Sequence, residues 1–428
     1  MDIWAVLLNF PIKIAAQLDL NIFKSYASAF ANIHRNIWVL SIAMFINRSG
    51  ALVLLFASLY LTKDLHFSFG TAGLIMSFYG IGSVLGSYAG GWLTDRRDHF
   101  TIMIVSLILS GAILFLLIPA KDPFVIGTII FFYAFVSDIF RPANSKAITL
   151  YSTPENRTRS VSLVRLAINL GFSVGPAAGG FLAMHFGFHL LFILDACTSF
   201  GAALLLIKYL PKQTKEEKNS IKSQIRQKES SAYRDLPYMV FIALIALYGT
   251  CFFQLFASVP QYFSKVCLYN EDVIGLLLGM NGLLVVLIEM PLVAALEGKK
   301  KTFPFIIWGT ICLPVAFGIL LLGRGLIVWS LVYTLIITLS EILAMPFMMN
   351  IALSRPAKER QGEYSALYAI SYGISNIIAP LIGLYIADLY GFSTMFMVFI
   401  FLSVSVAFGF WRLKKQMEKP LREFTVDS

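Results

Sequence analysis

Apolar stretches of about 20 residues alternate with short polar turns along most of this 428-residue chain. Each stretch is long enough to cross a hydrocarbon core about 30 Å thick as an α-helix. Because no long segment alternates polar and apolar residues, the pattern favours helices over a β-barrel and predicts an all-α membrane protein. The twelve predicted transmembrane helices cover residues 37–62, 70–93, 101–120, 124–148, 160–184, 188–210, 238–263, 272–296, 303–322, 326–352, 363–387 and 391–411.

Composition agrees with this pattern, since 58% of the residues are hydrophobic and only 14% are charged. The net charge of +10 comes mainly from Lys and Arg in the segments that lie on the same side as both termini. This asymmetry predicts cytoplasmic termini in a multi-pass protein of the plasma membrane, the inner membrane in bacteria. It also explains the basic balance without a nucleic-acid partner.

One long polar connection divides six predicted helices from six. The resulting units are an interfacial N-terminal segment (1–35), a first six-helix bundle (36–210), a cytoplasmic linker (211–237), a second bundle (238–415) and a cytoplasmic tail (416–428). In the first segment Asp2 precedes the apolar residues, and neither a basic region nor a small-residue cleavage site follows. We therefore expect a helix lying along the membrane surface rather than a signal peptide.

Short motifs of the first bundle recur about 200 residues later in the second. The tripeptide at residues 137–139, Ser-Asp-Ile, is echoed by Ser-Glu-Ile at 340–342, and Gly187-Phe188 is echoed by Gly391-Phe392. The recurrence predicts two pseudo-symmetric copies of one six-helix unit in parallel orientation.

The second predicted helix carries Gly82, Gly86 and Gly90 at four-residue spacing, which predicts a close packing face. The charged turn after it resembles the Gly-x-Leu-x-Asp-Arg-x-Gly-Arg-Lys loop of major facilitator superfamily transporters. Gly91, Leu93, Asp95 and Arg96 match that loop, whereas Asp98, His99 and Phe100 replace its Gly, Arg and Lys. The resemblance implies that Gly91, Asp95 and Arg96 act in conformational gating against the start of the eleventh helix.

The fifth predicted helix contains Gly171-Phe-Ser-Val-Gly175-Pro176-Ala-Ala-Gly179-Gly180. This run resembles the Gly-x-x-x-Gly-Pro-x-x-Gly-Gly signature of drug/proton antiporters in that superfamily, although Ser162 occupies the place of the first glycine of the motif. The resemblance adds Gly175, Pro176, Gly179 and Gly180 to the expected gating residues. Proline removes a backbone donor and bends a helix, and glycines permit close contact, so a purely structural packing role is the alternative.

Ionised side chains inside membrane spans are costly and therefore candidates for function. Those expected in proton coupling are Glu289, Glu341, Asp138 and Arg141; those expected to bind substrate are Arg48, Arg165 and Asn144. The run Arg141-Pro142-Ala143-Asn144-Ser145-Lys146-Ala147 resembles the Arg-x-x-Gln-Gly-x-Gly pattern of the superfamily, which implies proton handling by Arg141. A glutamate that meets an arginine in only one conformation can take up and release protons. The alternative is a set of static ion pairs between the bundles, and Asp195 is expected to be solvated near the outer surface.

The chain thus resembles a twelve-helix major facilitator superfamily transporter over residues 36–415. We expect a monomeric secondary transporter with alternating access, a proton-coupled antiporter that exports small organic molecules through the lipid bilayer. One alternative is proton symport that imports an anionic or zwitterionic solute, such as an amino acid, a peptide or a carboxylate metal chelate, because guanidinium groups bind carboxylates. Another is a receptor or scaffold on the same fold. No nucleophile, metal-ligand spacing or phosphate loop predicts an enzyme, a metal site or a cofactor.

Overall fold

The computed structural model describes residues 33–153, 157–210, 232–296, 302–323, 325–355 and 361–417. Over these residues the chain is helical apart from short turns, and it contains no strand. The expected interfacial segment up to residue 32, the linker up to residue 231 and the tail from residue 418 lie outside the described residues. Those expectations stay predictions, as does the division into five units.

The predicted spans coincide with helices. Within the described residues, ten helical segments are long and apolar enough to cross a membrane. This confirms the all-α membrane fold class. The helices are α1 (Arg35–Ser49), α2 (Leu52–Leu59), α3 (Phe69–Arg96), α4 (His99–Leu114), α5 (Pro123–Tyr151), α6 (Arg157–Phe186), α7 (His189–Tyr209), α8 (Leu236–Phe252), α9 (Val259–Lys265), α10 (Glu271–Leu296), α11 (Phe303–Leu322), α12 (Ile327–Ser354) and α13 (Gln361–Met417).

The first predicted span is broken, because α1 ends at Ser49 and α2 begins at Leu52. Gly50 lies in this break against the side chain of Thr198 on α7, and a Cβ at residue 50 would collide with that side chain. The last two predicted spans form α13, whose helical course is interrupted at Gly391. The number of separate spans, twelve, therefore stays a prediction.

Gly187 and Gly391 adopt almost the same backbone conformation, with φ of 80° and 79°. Side-chain-bearing residues rarely adopt this left-handed conformation, which glycine tolerates. Gly187 ends α6 before α7, and Gly391 separates the two parts of α13. The Gly-Phe recurrence in the sequence thus marks equivalent breaks between helices in the two halves.

Among the described residues, the N-terminal half of the chain contacts the C-terminal half mainly through α6 with α10 and α3 with α13. Within the N-terminal half, α3 packs closely on α5. Gly82, Gly86 and Gly90 lie directly against the α5 backbone, at Phe131, Phe135 and Ile139, which confirms the packing face predicted from their spacing. Arg165, Glu289 and Glu341 lie along the α6–α10 contact and on the adjoining helix α12. The other charged and polar candidates lie on α1 (Arg48) and on α5 (Asp138, Arg141 and Asn144).

Candidate functional site

An ion pair between Arg165 of α6 and Glu289 of α10 links the two halves of the chain. Arg165 Nη2 lies 2.6 Å from Glu289 Oε1, and Arg165 Nη1 lies 3.9 Å from the sulfur of Met349 on α12. The Glu289 side chain is 11% exposed, whereas that of Arg165 is 39% exposed. One guanidinium therefore contacts both α10 and α12, and it neutralises a carboxylate that is largely sealed from solvent.

Glu341 of α12 lies beside this pair without a cation of its own. Asn281 Nδ2 of α10 donates to Glu341 Oε2 at 3.1 Å and to Thr338 Oγ1 at 3.0 Å. The Glu341 carboxylate interacts electrostatically with Glu289 and Arg165. Within the described part of the chain, no Lys, Arg or His lies within 4.0 Å of it. The positive charge of Arg165 therefore acts on two carboxylates, those of Glu289 and Glu341.

Tyrosines of α13 border this group and were missed by the sequence analysis. The rings of Tyr368 and Tyr372 meet edge to face with centroids 5.2 Å apart, and Tyr368 Oη donates to the Met345 carbonyl at 3.4 Å. Tyr368 also interacts electrostatically with Arg165 and Glu289. The signal was present, because Tyr364, Tyr368 and Tyr372 recur every four residues and so share one helix face.

Asp138 and Arg141 of α5 form a second ion pair, with 2.7 Å between Asp138 Oδ1 and Arg141 Nε. Ser83 of α3 donates a hydrogen bond to Asp138 Oδ2. Asp138 is buried, whereas 53% of the Arg141 side chain is exposed. In the sequence repeat Asp138 corresponds to Glu341, and Ala344 stands where the first half has Arg141. Of the two carboxylates related by the repeat, Asp138 therefore has an arginine partner on its own helix and Glu341 does not.

Asp195 of α7 was expected to be solvated, and that expectation is wrong. It is 1% exposed, and its Oδ2 accepts hydrogen bonds from Val53 N at 3.4 Å and Tyr133 Oη at 3.3 Å. At the start of α2, Leu52 N donates to the Gly50 carbonyl at 2.6 Å, whereas the next amide, Val53 N, has the Asp195 carboxylate as its acceptor inside the protein. Asp195 supplies the acceptor and places a negative charge at the positive end of α2.

Arg48 lies next to this break, in the last turn of α1. Its guanidinium carbon is 5.9 Å from the centroid of the Phe172 ring on α6, and its charge acts on Asp195. Asn144 is buried on α5, and its Oδ1 has no hydrogen-bond partner within the part of the chain that the structure describes. No described contact joins Arg48, Arg165 and Asn144, and their role in substrate binding stays a prediction.

The glycine motif of α6 contacts α1 and α2 on one face and α10 on the other. A Cβ on Gly175 would lie 2.8 Å from the Ser49 carbonyl oxygen, and one on Gly179 would lie 2.8 Å from Leu52 Cδ2. Gly180 and Pro176 instead meet α10 at Gly275. The α10 glycines that line this contact, Gly275, Gly279 and Gly282, went unnoticed in the sequence although their spacing follows one helix face.

The charged turn after α3 follows the C-terminal end of that helix, at Arg96. Gly91 faces open space among the described residues, and the Arg96 guanidinium carbon stacks 3.9 Å from the centroid of the exposed Trp92 ring. Lys146 Nζ donates to the Thr94 carbonyl at 2.5 Å and so caps the end of α3. The side chain of Asp95 lies outside the described residues, so its expected gating role stays a prediction.

Polar contacts join the halves at the other end of the molecule, where α2 leads into α3. Lys63 Nζ lies 2.8 Å from Glu271 Oε1, and Thr62 Oγ1 donates to Gln261 Oε1 at 2.9 Å. Asp388 of α13 accepts hydrogen bonds from the Phe69 and Gly70 amides at 3.3 and 3.1 Å. We call these residues the end clasp. Opening this end of the molecule requires that they separate.

Comparison with known proteins places the chain among membrane transporters. A family model of the Major Facilitator Superfamily matches residues 37–380. An uncharacterized MFS-type transporter of Bacillus subtilis, YttB, is 26% identical over 87% of this chain and 94% of that protein. Multidrug resistance protein 2 of B. subtilis is 25% identical over 76% and 82%. A Na(+), Li(+), K(+)/H(+) antiporter of Planococcus maritimus is 21% identical over 83% and 89%.

Solved structures share the fold at low sequence identity. The crystal structure of a POT family transporter in complex with 5-aminolevulinic acid superposes with a TM-score of 0.77 at 14% identity. The match covers 91% of this chain and 98% of that one. A likeness at this identity concerns the arrangement of helices, not the ligand.

Proposed function

The chain belongs to the Major Facilitator Superfamily, and on that premise we propose that it is a proton-coupled antiporter that exports small organic molecules. Family membership makes it an integral, multi-pass membrane transporter that handles small-molecule substrates. In the proposal, bundles 36–210 and 238–415 of one monomer rock about the site between them. The observation that carries the proposal is the Arg165–Glu289 ion pair between the halves, with Glu341 beside it and lacking a cation.

Protonation of Glu289 would cancel its charge and so weaken its attraction for Arg165. That attraction is one of the direct links between α6 and α10, and its loss favours separation of these helices. When the proton leaves, the negative charge returns and the pair can form again. A proton-dependent contact between the halves is the physical requirement for coupling transport to a proton gradient.

Glu341 is the second proposed proton site, and Asp138 serves as its internal comparison. Asp138 is balanced by Arg141 on its own helix, whereas Ala344 leaves Glu341 without such a partner. Glu341 is partly buried, and a carboxylate that is shielded from water and has no cation of its own is costly to ionise. Glu341 can therefore exchange its proton for the positive charge of a substrate or of Arg165.

Export is favoured over import by the glycine motif of α6 and by the relatives. The motif resembles that of drug/proton antiporters and packs on α10 beside the end clasp. One relative is named a multidrug resistance protein and another a cation/H(+) antiporter. In this proposal the positive-inside rule puts the end clasp on the outer side, and the state in which the clasp is formed is the one closed toward the outside.

The alternative is proton symport of an anionic or zwitterionic solute. Arg48, which has no acid within 4.0 Å among the described residues, favours it because a free guanidinium can bind a carboxylate in a bidentate way. The POT family transporter of similar fold was crystallised with 5-aminolevulinic acid, which is such a solute.

Transport by purified protein in proteoliposomes separates the two directions. The protein is reconstituted, its orientation is determined by protease access to the termini, and a pH gradient is imposed across the membrane. Fluorescent aromatic compounds and 5-aminolevulinic acid serve as test substrates. Movement of the aromatic compounds against the proton flux supports antiport, and accumulation of 5-aminolevulinic acid together with protons supports symport. Absence of both under every gradient contradicts the transport proposal.

A further inference from the structure

A surface groove of about 560 Å³ is lined by the C-terminal end of α3, by α4 and by α5, and none of its lining residues belongs to α6 or α10. Its apolar walls include Leu93 of α3, Val105 and Leu109 of α4, and Ile139 of α5. Arg96 and Arg97 lie at its mouth, where α3 ends. The groove thus has an apolar body and a basic entrance. Of the residues that line it, only Arg96 is also an expected gating residue.

The apolar body faces the bilayer. Val105 and Leu109 are 46% and 48% exposed and lie one helical turn apart on α4, within a helix apolar enough to span the membrane. A groove of this kind inside the hydrocarbon region is filled by lipid chains because water gains no hydrogen bonds there. Its length along α4, from the level of Thr101 to that of Leu109, is about 12 Å at 1.5 Å per residue.

No described acid lies within 4.0 Å of the Arg96 or Arg97 guanidinium, and the two arginines together with Asp98 give the entrance a net charge of +1. Both arginines are exposed, and Arg96 stacks on Trp92, which leaves its N–H groups at the ring edge free to donate. Asp98 also lines the groove, but its Oδ2 accepts from the Thr101 amide and hydroxyl, each at 3.2 Å, and so caps α4. Trp92 is 53% exposed, as is typical of indoles at the membrane interface.

We propose that this groove binds an anionic phospholipid. Arg96 and Arg97 contact the phosphate and the charged headgroup, since guanidinium groups donate paired hydrogen bonds to phosphate oxygens. One acyl chain lies in the groove against Val105, Leu109 and Ile139. Clusters of basic residues at the cytoplasmic ends of transmembrane helices attract anionic headgroups in the same way. A membrane-embedded apolar body joined to a two-arginine entrance matches a lipid better than a soluble anion.

Binding is tested with the full chain, purified and delipidated in detergent. Phosphatidylglycerol, phosphatidylethanolamine and phosphatidylcholine of identical acyl chains are added, and bound lipid is counted by native mass spectrometry alongside the melting temperature. We expect retention and thermal stabilisation by phosphatidylglycerol above the other two. Arg97→Gln should remove that preference, and Val105→Trp, which fills the groove without changing charge, should lower retention of every lipid.

Arg412→Gln is the matched control, because Arg412 is an exposed arginine stacked on Phe408 and Trp411 of α13, outside the groove. It should keep the preference for phosphatidylglycerol. Equal retention of all three lipids by the unaltered protein, or an unchanged preference in Arg97→Gln, would overturn the proposal. So would stabilisation by glycerophosphate or inorganic phosphate equal to that by phosphatidylglycerol, since a soluble anion has no acyl chain.

Discussion

Arg165 on α6 and Glu289 on α10 are 124 residues apart in the chain and 2.6 Å apart in space. Their side chains form an ion pair between α6 and α10. A second ion pair, Lys63–Glu271, lies in the end clasp. The two pairs join the same halves at different depths. If the halves rock, the two contacts cannot both be retained in every state.

Removing either partner of the Arg165–Glu289 pair should destabilise the protein. Arg165→Ala leaves the largely buried Glu289 carboxylate without its cation. We expect the free energy of unfolding to fall by about 1 to 3 kcal/mol, less than for a fully buried pair because Arg165 is partly exposed. Arg165→Ala combined with Glu289→Ala should recover part of that loss. Melting temperatures of the two single variants and the double variant give the coupling. Additive effects would show that the pair contributes no coupling energy.

Glu341→Gln should uncouple transport from the proton gradient. Glutamine keeps the shape and the acceptor for Asn281 but cannot exchange a proton, so gradient-driven transport should fall at least about tenfold, equivalent to roughly 1.4 kcal/mol. Substrate binding and the melting temperature should stay near those of the unaltered protein. Asp138→Asn, at a second expected coupling residue whose charge is balanced by Arg141, should lower gradient-driven transport less. Unchanged proton-driven transport by Glu341→Gln would falsify its coupling role.

Gly275→Val should prevent the α6–α10 contact from closing. A Cβ at residue 275 would lie 2.9 Å from Gly180 Cα and would collide with the Pro176 carbonyl. The end clasp should then open more often, and a cysteine introduced at Thr62, which is buried in the clasp, should react faster with a membrane-impermeant maleimide. Gly318→Val on α11 is the control, because a Cβ there meets nothing within 4 Å. Equal labelling rates in both variants would contradict this role for the contact.

Asp195→Ala should weaken the start of α2. The substitution removes the acceptor for Val53 N and leaves that amide unpaired inside the protein, at a cost of about 1 to 2 kcal/mol, comparable to that of a lost N-cap. Asp195→Asn retains an acceptor oxygen and should lose less. Thermal unfolding in detergent compares the two. A melting temperature of Asp195→Ala equal to that of Asp195→Asn would show that capping is not what this side chain contributes.

Acid should weaken the contact between Asp235 and Arg355, which lies at the start of α8 and the end of α12. Burial alone would raise the pKa of Asp235, but hydrogen bonds from Arg355 at 2.6 and 2.8 Å and its charge outweigh burial and lower that pKa. The contact therefore adds stability above the usual carboxyl pKa of about 4, and this is lost as the pH falls through the lower pKa of the folded protein.

Asp235→Asn should accordingly lower the melting temperature at neutral pH and flatten its decline in acid. Asp64→Asn, at an exposed carboxylate, should leave both unchanged. Melting temperatures measured from pH 7 to pH 3 compare the three proteins. If Asp235→Asn declines in acid as steeply as the unaltered protein, other carboxylates govern the acid sensitivity.

The helical spans could be predicted closely from the sequence because membrane insertion depends on the summed hydropathy of about 20 consecutive residues, a local property. The packing face of Gly82, Gly86 and Gly90 was also predictable, because it depends on the spacing of residues within one helix. The break at Gly50 was not, since it depends on Thr198, and neither was the burial of Asp195, whose partners lie on α2 and α5. A hydropathy pattern does not record which helix a side chain will face.

By itself the sequence determined that this is an all-α membrane protein, that its halves repeat a motif pattern, and which ionisable residues lie within apolar spans. Only the tertiary structure decided that Arg165 pairs with Glu289, that Glu341 is left with Asn281, and that the tyrosines of α13 border them. The reason is physical. Burial in lipid depends on composition along the chain, whereas the partner of a buried charge depends on which distant helices pack together.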